Sequence, residues 1–273
     1  MLLYNEIDVY VFKKRKCVFM SKLLDKVNSP KDIKGLSVKD LEILCGELRE
    51  FLVENVSKTG GHLSANLGTV EAITAMHYNF PTPLNQYVFD VGHQCYVHKL
   101  LTGRYDTFDT IRKENGLSGF MSPSESEHDA FVSGHSSNSI SAACGIAKAN
   151  TLMGNNNYVV PVVGDGAITG GMTFEALNNS GRSKEKLIVI LNDNKMSISK
   201  NVGSLARHLT AIRTGRRYIH AKESLRTAVQ KIPIVGNRLN KILFRIKQLI
   251  KGALYNCNYF ESLGYYYLGP IDG

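Results

Sequence analysis

The sequence predicts an α/β fold, a parallel sheet flanked by helices, and three observations carry that expectation. The apolar run Tyr158 to Val163 ends in Gly164-Asp165-Gly166, and a second run, Leu187 to Leu191, ends in Asn192-Asp193-Asn194. Thr173 to Arg182, between them, reads as a crossover helix, which a parallel pair requires and a hairpin does not. The order strand, glycine turn, helix recurs along a chain of 273 residues, enough for a sizeable core.

In chain order, residues 1–19 mix acids with Lys13-Lys14-Arg15-Lys16 and gather no apolar core of signal-peptide length. They are expected to form a disordered extension upstream of Met20, with 20–273 as one domain. Gln86 to Val91 is strand-like. Ser136 and Ser137 are expected to open a helix bearing Ile140, Ala143, Cys144 and Ala147, as caps or as anion-facing groups. Pro161 interrupts its strand and should cost a ladder hydrogen bond, leaving a weak rung or a bulge.

Residues 200–251 hold thirteen Lys and Arg against one acid, Glu223, so the net charge of +9 is local to this stretch. Ile232, Val235, Leu239, Ile242, Leu243, Ile246 and Leu249 recur at helical spacing there. The stretch is expected to be a basic, partly mobile helical excursion over the site, its field favouring anionic substrates. Without aromatic stacking or a recognition module, nucleic acid and membrane surfaces are not expected partners. No apolar run approaches membrane-span length. The five cysteines, at 17, 45, 95, 144 and 257, are odd in number and scattered, which suits free thiols and a cytoplasmic setting. His93, Cys95 and His98 lack the fourth ligand and the paired cysteines that zinc favours.

Asp165 and Asn194 stand 29 positions apart at the tips of two neighbouring strands. A parallel unit puts both at the carboxyl edge, where α/β folds bind ligands. Mg²⁺ takes hard oxygen donors and shares its shell with phosphates, and Gly164 and Gly166 let the backbone approach one. The tripeptide alone also suits a strand-to-helix turn with an Asp N-cap.

These segments resemble the thiamine diphosphate motif, and the chain is similar to the 1-deoxy-D-xylulose-5-phosphate synthase family within the transketolase-like superfamily. The resemblance is carried by Thr59-Gly60-Gly61-His62-Leu63, Asn66-Leu67-Gly68-Thr69-Val70-Glu71, Asp90-Val91-Gly92-His93-Gln94, His98-Lys99-Leu100-Leu101-Thr102-Gly103-Arg104, Gly134-His135-Ser136-Ser137, the two strand tips, and Gly269-Pro270-Ile271-Asp272-Gly273. It runs from about Met20 to the end.

The resemblance implies a transferase that decarboxylates pyruvate and joins the two-carbon unit to glyceraldehyde 3-phosphate, the first step of non-mevalonate isoprenoid synthesis. It implies thiamine diphosphate and Mg²⁺ as cofactors. Asp165, Asn194 and the Met196 carbonyl would hold the metal. Gly134, His135, Ser136, Gly166, Ala167, Asn194 and His93 would touch the cofactor, and His62 and His93 would serve catalysis. Lys195 stands where the family usually shows an acid, and its charge would oppose the metal.

The family's pyrimidine-binding and carboxyl-terminal domains have no counterpart in this sequence. The expectation is therefore a homodimer of a complete enzyme or a complementary chain supplying the pyrimidine-binding domain, with no turnover by this chain alone. A subunit of a split transketolase-like enzyme and a non-catalytic binding module are the alternatives.

Overall fold

A computed structural model describes residues 22–193, 259–268 and 271. The expectations for residues 1–19, for Asn194, Lys195 and Met196, and for the basic stretch 200–251 lie outside the described residues. Among the described residues no helix is long and apolar enough to cross a membrane.

Helix α1 (Val38–Thr59) starts at a reciprocal cap. The Ser37 hydroxyl accepts the Asp40 N–H and the Asp40 carboxylate accepts the Ser37 N–H, satisfying two donors that a helix start leaves open. Leu44, Leu48, Leu52 and Val56 recur every fourth residue along its buried face. Two short helices follow, α2 (Leu63–Leu67) and α3 (Val70–Asn79), which sequence reading did not assign.

Strand β1 (Gln86–Phe89), helix α4 (Tyr96–Leu101), helix α5 (Ser139–Leu152), strand β2 (Val159–Gly164), helix α6 (Gly171–Ser180) and strand β3 (Ile190–Asn192) complete the core order. The strands are parallel in the order β1-β2-β3. Alternation along them feeds two layers. Tyr87, Phe89, Val160 and Val162 pack into the core that holds Leu48, Leu52, Ile73 and Leu100 of α1, α3 and α4. Val88 and Val159 face Ala143 and Ala147 of α5, while Val163 joins Ile140 of α5 and Ala176 and Leu177 of α6. A sheet covered on both faces accounts for strands that read as continuous apolar runs.

The expected bulge at Pro161 is absent. Val159 bridges Leu187 and Val162 pairs with Ile190, the same offset on both sides of the proline. The Val159 N–H donates to the Lys186 carbonyl at 2.9 Å and the Asp165 N–H to the Asn192 carbonyl at 3.2 Å. Pro161 holds an alternate position between these two and has no N–H for the Ile188 carbonyl. One rung is missing and the register is kept, so the regular ladder begins at Ile190 rather than at Leu187.

Two other boundaries differ from expectation. Strand β1 stops at Phe89 instead of Val91, because Asp90 turns toward α5 and Val91 takes φ 58°. Helix α5 opens at Ser139, two residues beyond Ser137, and its flanking residue Asn138 makes no side-chain cap. Helix α7 (Tyr259–Ser262) brings the chain back against α6, where Tyr259 meets Phe174 edge to face at 5.9 Å and Phe260 is buried beside Leu177.

Candidate functional site

The carboxyl ends of β1 and β2 and the loops before α5 and α6 meet at one edge of the sheet. Asp90, 1% exposed, organises the first junction. Its carboxylate accepts the Ser137 N–H at 2.7 Å, the Ser139 N–H at 3.2 Å and the Ser139 hydroxyl at 2.6 Å. The Val91 N–H donates to the His135 carbonyl at 3.3 Å. A carboxylate at a helix start satisfies open N–H groups and favours the dipole, so Asp90 caps α5 from a distant strand.

Ser137 joins this loop to the next. It holds φ 70°, a left-handed conformation uncommon outside glycine. Its hydroxyl donates to the Ala167 carbonyl at 2.9 Å. The Thr173 hydroxyl lies 3.3 Å from the Ser137 carbonyl and 3.2 Å from that of Ala167. Gly170 permits the approach, since a Cβ there would stand 2.0 Å from the Ser137 Oγ. The loop of Gly134, His135 and Ser136 is thereby tied to the turn of Gly166 and Ala167. Among the described residues the backbone N–H groups of His135, Ser136, Gly166 and Ala167 have no acceptor. Four open donors in two tied loops, beside the start of α5, form an arrangement that attracts an anion.

Asp165 follows the last residue of β2, and its N–H bond to the Asn192 carbonyl sets it beside the tip of β3. The structure thus brings together Gly134, His135, Ser136, Asp165, Gly166 and Ala167 of the sequence-predicted site.

It also brings His62 and His93 together. Their ring centroids are 5.0 Å apart with an interplanar angle of 62°. His62 precedes α2, after Gly61 at φ 146°, where a Cβ would press to 2.8 Å on the Tyr96 hydroxyl. Burial lowers the His62 pKa below its ordinary value, and the Arg112 guanidinium lowers it further. Burial also lowers that of His93, with His62 adding to the effect and Asp90 opposing it. Both rings are therefore neutral hydrogen-bonding groups near pH 7, and the positive form of His62 is disfavoured. The His93 Nδ1 is buried with no partner among the described residues.

Beneath this edge lies a cluster that sequence reading missed. His77 Nε2 meets His98 Nδ1 at 2.9 Å, and His98 Nε2 meets Asp129 Oδ1 at 2.9 Å. Arg104 grips both oxygens of Asp129, and Lys99, with no exposure, pairs with Glu125. His98 is thus engaged with His77 and Asp129 rather than with His93. Cys95 fills a small buried space, its thiol pushed up to about 12 by burial. The cluster ties α4 to the loop carrying Phe120, whose ring centroid lies 6.5 Å from that of His62.

The chain is similar to known proteins of one family and one fold. A family model described as 1-deoxy-D-xylulose-5-phosphate synthase matches residues 24–273. A protein of that name from Caldanaerobacter subterraneus is 53% identical over 251 residues, covering 92% of this chain and 40% of the relative. Another, from Exiguobacterium sibiricum, is 48% identical over 250 residues, covering 92% and 40%. The chain spans about 40% of the length of these curated relatives. Among solved structures, transketolase from Leishmania mexicana shares the fold at a TM-score of 0.55 and 20% identity, covering 63% of this chain and 30% of that one. A Pichia stipitis transketolase mutant gives 0.54 and 22%, covering 59% and 28%.

Proposed function

The chain belongs to the 1-deoxy-D-xylulose-5-phosphate synthase family of transketolase-type transferases, and from that membership we propose that it provides the diphosphate-binding part of such an enzyme's site. The reaction is the decarboxylation of pyruvate, with transfer of the remaining two-carbon unit to glyceraldehyde 3-phosphate. The observation that carries the reading is the set of four open N–H groups on two loops that Ser137 ties together, with Asp165 at the adjoining strand tip. That donor set fits thiamine diphosphate with Mg²⁺.

In this reading the His135, Ser136, Gly166 and Ala167 N–H groups hold the diphosphate, and Gly134 leaves room for it. Asp165 holds Mg²⁺ with the Asn194 side chain and the Met196 carbonyl. His93 offers its unpartnered Nδ1 to the cofactor or to a proton in transit, while His62 faces the reacting pyruvate carbons as a neutral hydrogen-bonding group. When bound, thiamine diphosphate supplies the thiazolium that stabilises carbanion chemistry. The pyrimidine-facing part of the site comes from a further domain, in a homodimer of a complete enzyme or from a complementary chain. Free thiols at Cys45, Cys95 and Cys144 support a cytoplasmic setting.

The test is titration of the purified chain with thiamine diphosphate, with and without Mg²⁺. Binding is expected to need the metal, and Asp165→Ala is expected to abolish the Mg²⁺-dependent binding. An unchanged affinity in the variant rejects the metal assignment.

A further inference from the structure

Between the two proposed catalytic histidines lies a side chain whose hydrogen bonds go to the backbone of both and to neither ring. Asn66, on α2, is completely buried. Its Nδ2 donates to the His62 carbonyl at 2.7 Å and to the His93 carbonyl at 2.8 Å, and its Oδ1 accepts the Tyr96 N–H at 2.8 Å. Carbonyls only accept and a backbone N–H only donates, so the amide has one orientation. Both of its hydrogens and its oxygen are used.

The three contacts belong to separate pieces of chain. His62 closes the glycine pair after α1, His93 stands beyond β1, and Tyr96 opens α4. The two histidines are 31 positions apart, and among the described residues no hydrogen bond joins their rings or backbones directly. Neither loop is held by a regular ladder at that point: Gly61 is at φ 146° and Val91 at φ 58°. A buried amide with three bonds of ordinary length is a strong local constraint, because breaking any one of them leaves a desolvated polar group without a partner.

We infer that Asn66 is the positioning residue of the His62–His93 pair, fixing the two imidazoles within contact of each other through their own backbone carbonyls. This rests on the proposed roles of those histidines. Asn66 acts through them and touches no reacting atom. The same side chain sets the start of α4 through the Tyr96 N–H, so the spacing of the pair is fixed to the body of the fold rather than to a loop.

The test reads the coupling between the rings in the full chain by NMR titration of the histidine side chains, with no cofactor present. The groups acting on them are Arg112 for His62, and His62 and Asp90 for His93. In the otherwise wild-type chain, His62→Gln removes one neighbour and raises the His93 pKa. In an Asn66→Ala background the same replacement is expected to move it much less, because the rings no longer share a fixed separation. An unchanged response overturns the inference, since a residue that merely stabilised the fold would leave this coupling intact. Should the alanine variant fail to fold, the wild-type chain decides. Scalar couplings across the hydrogen bonds from the Asn66 amide to both the His62 and His93 carbonyl carbons support the inference, and the lack of either overturns it. Failure of thiamine diphosphate to bind the chain would reject the functional reading and leave this geometric result standing, so the two failures are distinguishable.

Discussion

Arg104 grips Asp129 through two hydrogen bonds of 2.8 Å each, one from each terminal guanidinium nitrogen to a separate carboxylate oxygen. The Asp129 side chain is wholly buried and that of Arg104 nearly so. Asp129 also accepts from the Ser122 N–H and pairs with His98, so four hydrogen bonds from three residues converge on one carboxylate.

Removing one partner of such a pair leaves the other charged and desolvated. Asp129→Ala is expected to destabilise the chain by about 3–5 kcal/mol, measured by urea unfolding. A change below about 1 kcal/mol, the range typical of exposed pairs, would show that water reaches the cluster.

The same cluster sets an acid limit. Burial lowers the His98 pKa from 6.5 to about 4, against the pull of Asp129, and lowers that of His77 in the same direction. The unfolded chain takes up these protons near pH 6.5 while the folded chain refuses them. Stability is therefore full above pH 6.5 and is lost as the pH falls toward 4, at up to about 1.4 kcal/mol per pH unit for each histidine. Asp129 is held below the ordinary carboxylate range, so its own contribution is lost only in stronger acid. Urea midpoints measured between pH 7 and pH 5 check this; midpoints independent of pH over that interval would contradict neutral, buried histidines.

Thr173 distinguishes bracing from packing at the anion loops. It is 1% exposed, and its hydroxyl lies within reach of the Ser137 and Ala167 carbonyls. Thr173→Ser keeps the hydroxyl and is expected to bind inorganic pyrophosphate with Mg²⁺ as the wild type does. Thr173→Val keeps the volume and is expected to bind about fivefold more weakly, the effect of about one lost hydrogen bond. Phosphorus NMR titration reads both, and the reverse order would assign Thr173 a packing role.

What the sequence disclosed follows the range of the interactions involved. The β2–α6–β3 unit is local, and its apolar runs and glycine turns placed Asp165 at a strand end without help from the rest of the chain. The motifs around His62 and His93 nominated both residues, yet the bridge through Asn66 spans 27 positions on one side and joins atoms of the backbone, which no side-chain pattern reports. The left-handed Ser137 was hidden for the same reason. Lys99 and Arg104 read as parts of one motif, while their partners Glu125 and Asp129 carried no local signal; only the pairing accounts for the burial of Lys99, Arg104 and Asp129. At Pro161 the missing donor was legible. The preserved register was not, because it depends on bonds made on either side of the proline.

The Asp90 carboxylate draws its donors from residues 47 and 49 positions further along the chain. On the ribosome, the tip of β1 therefore stays solvated and unfinished until Ser139 has emerged, and this edge of the sheet matures late, after α1, α3 and α4 have been made. A chain stalled between Val91 and Ser137 would lack every donor that closes the Asp90 junction.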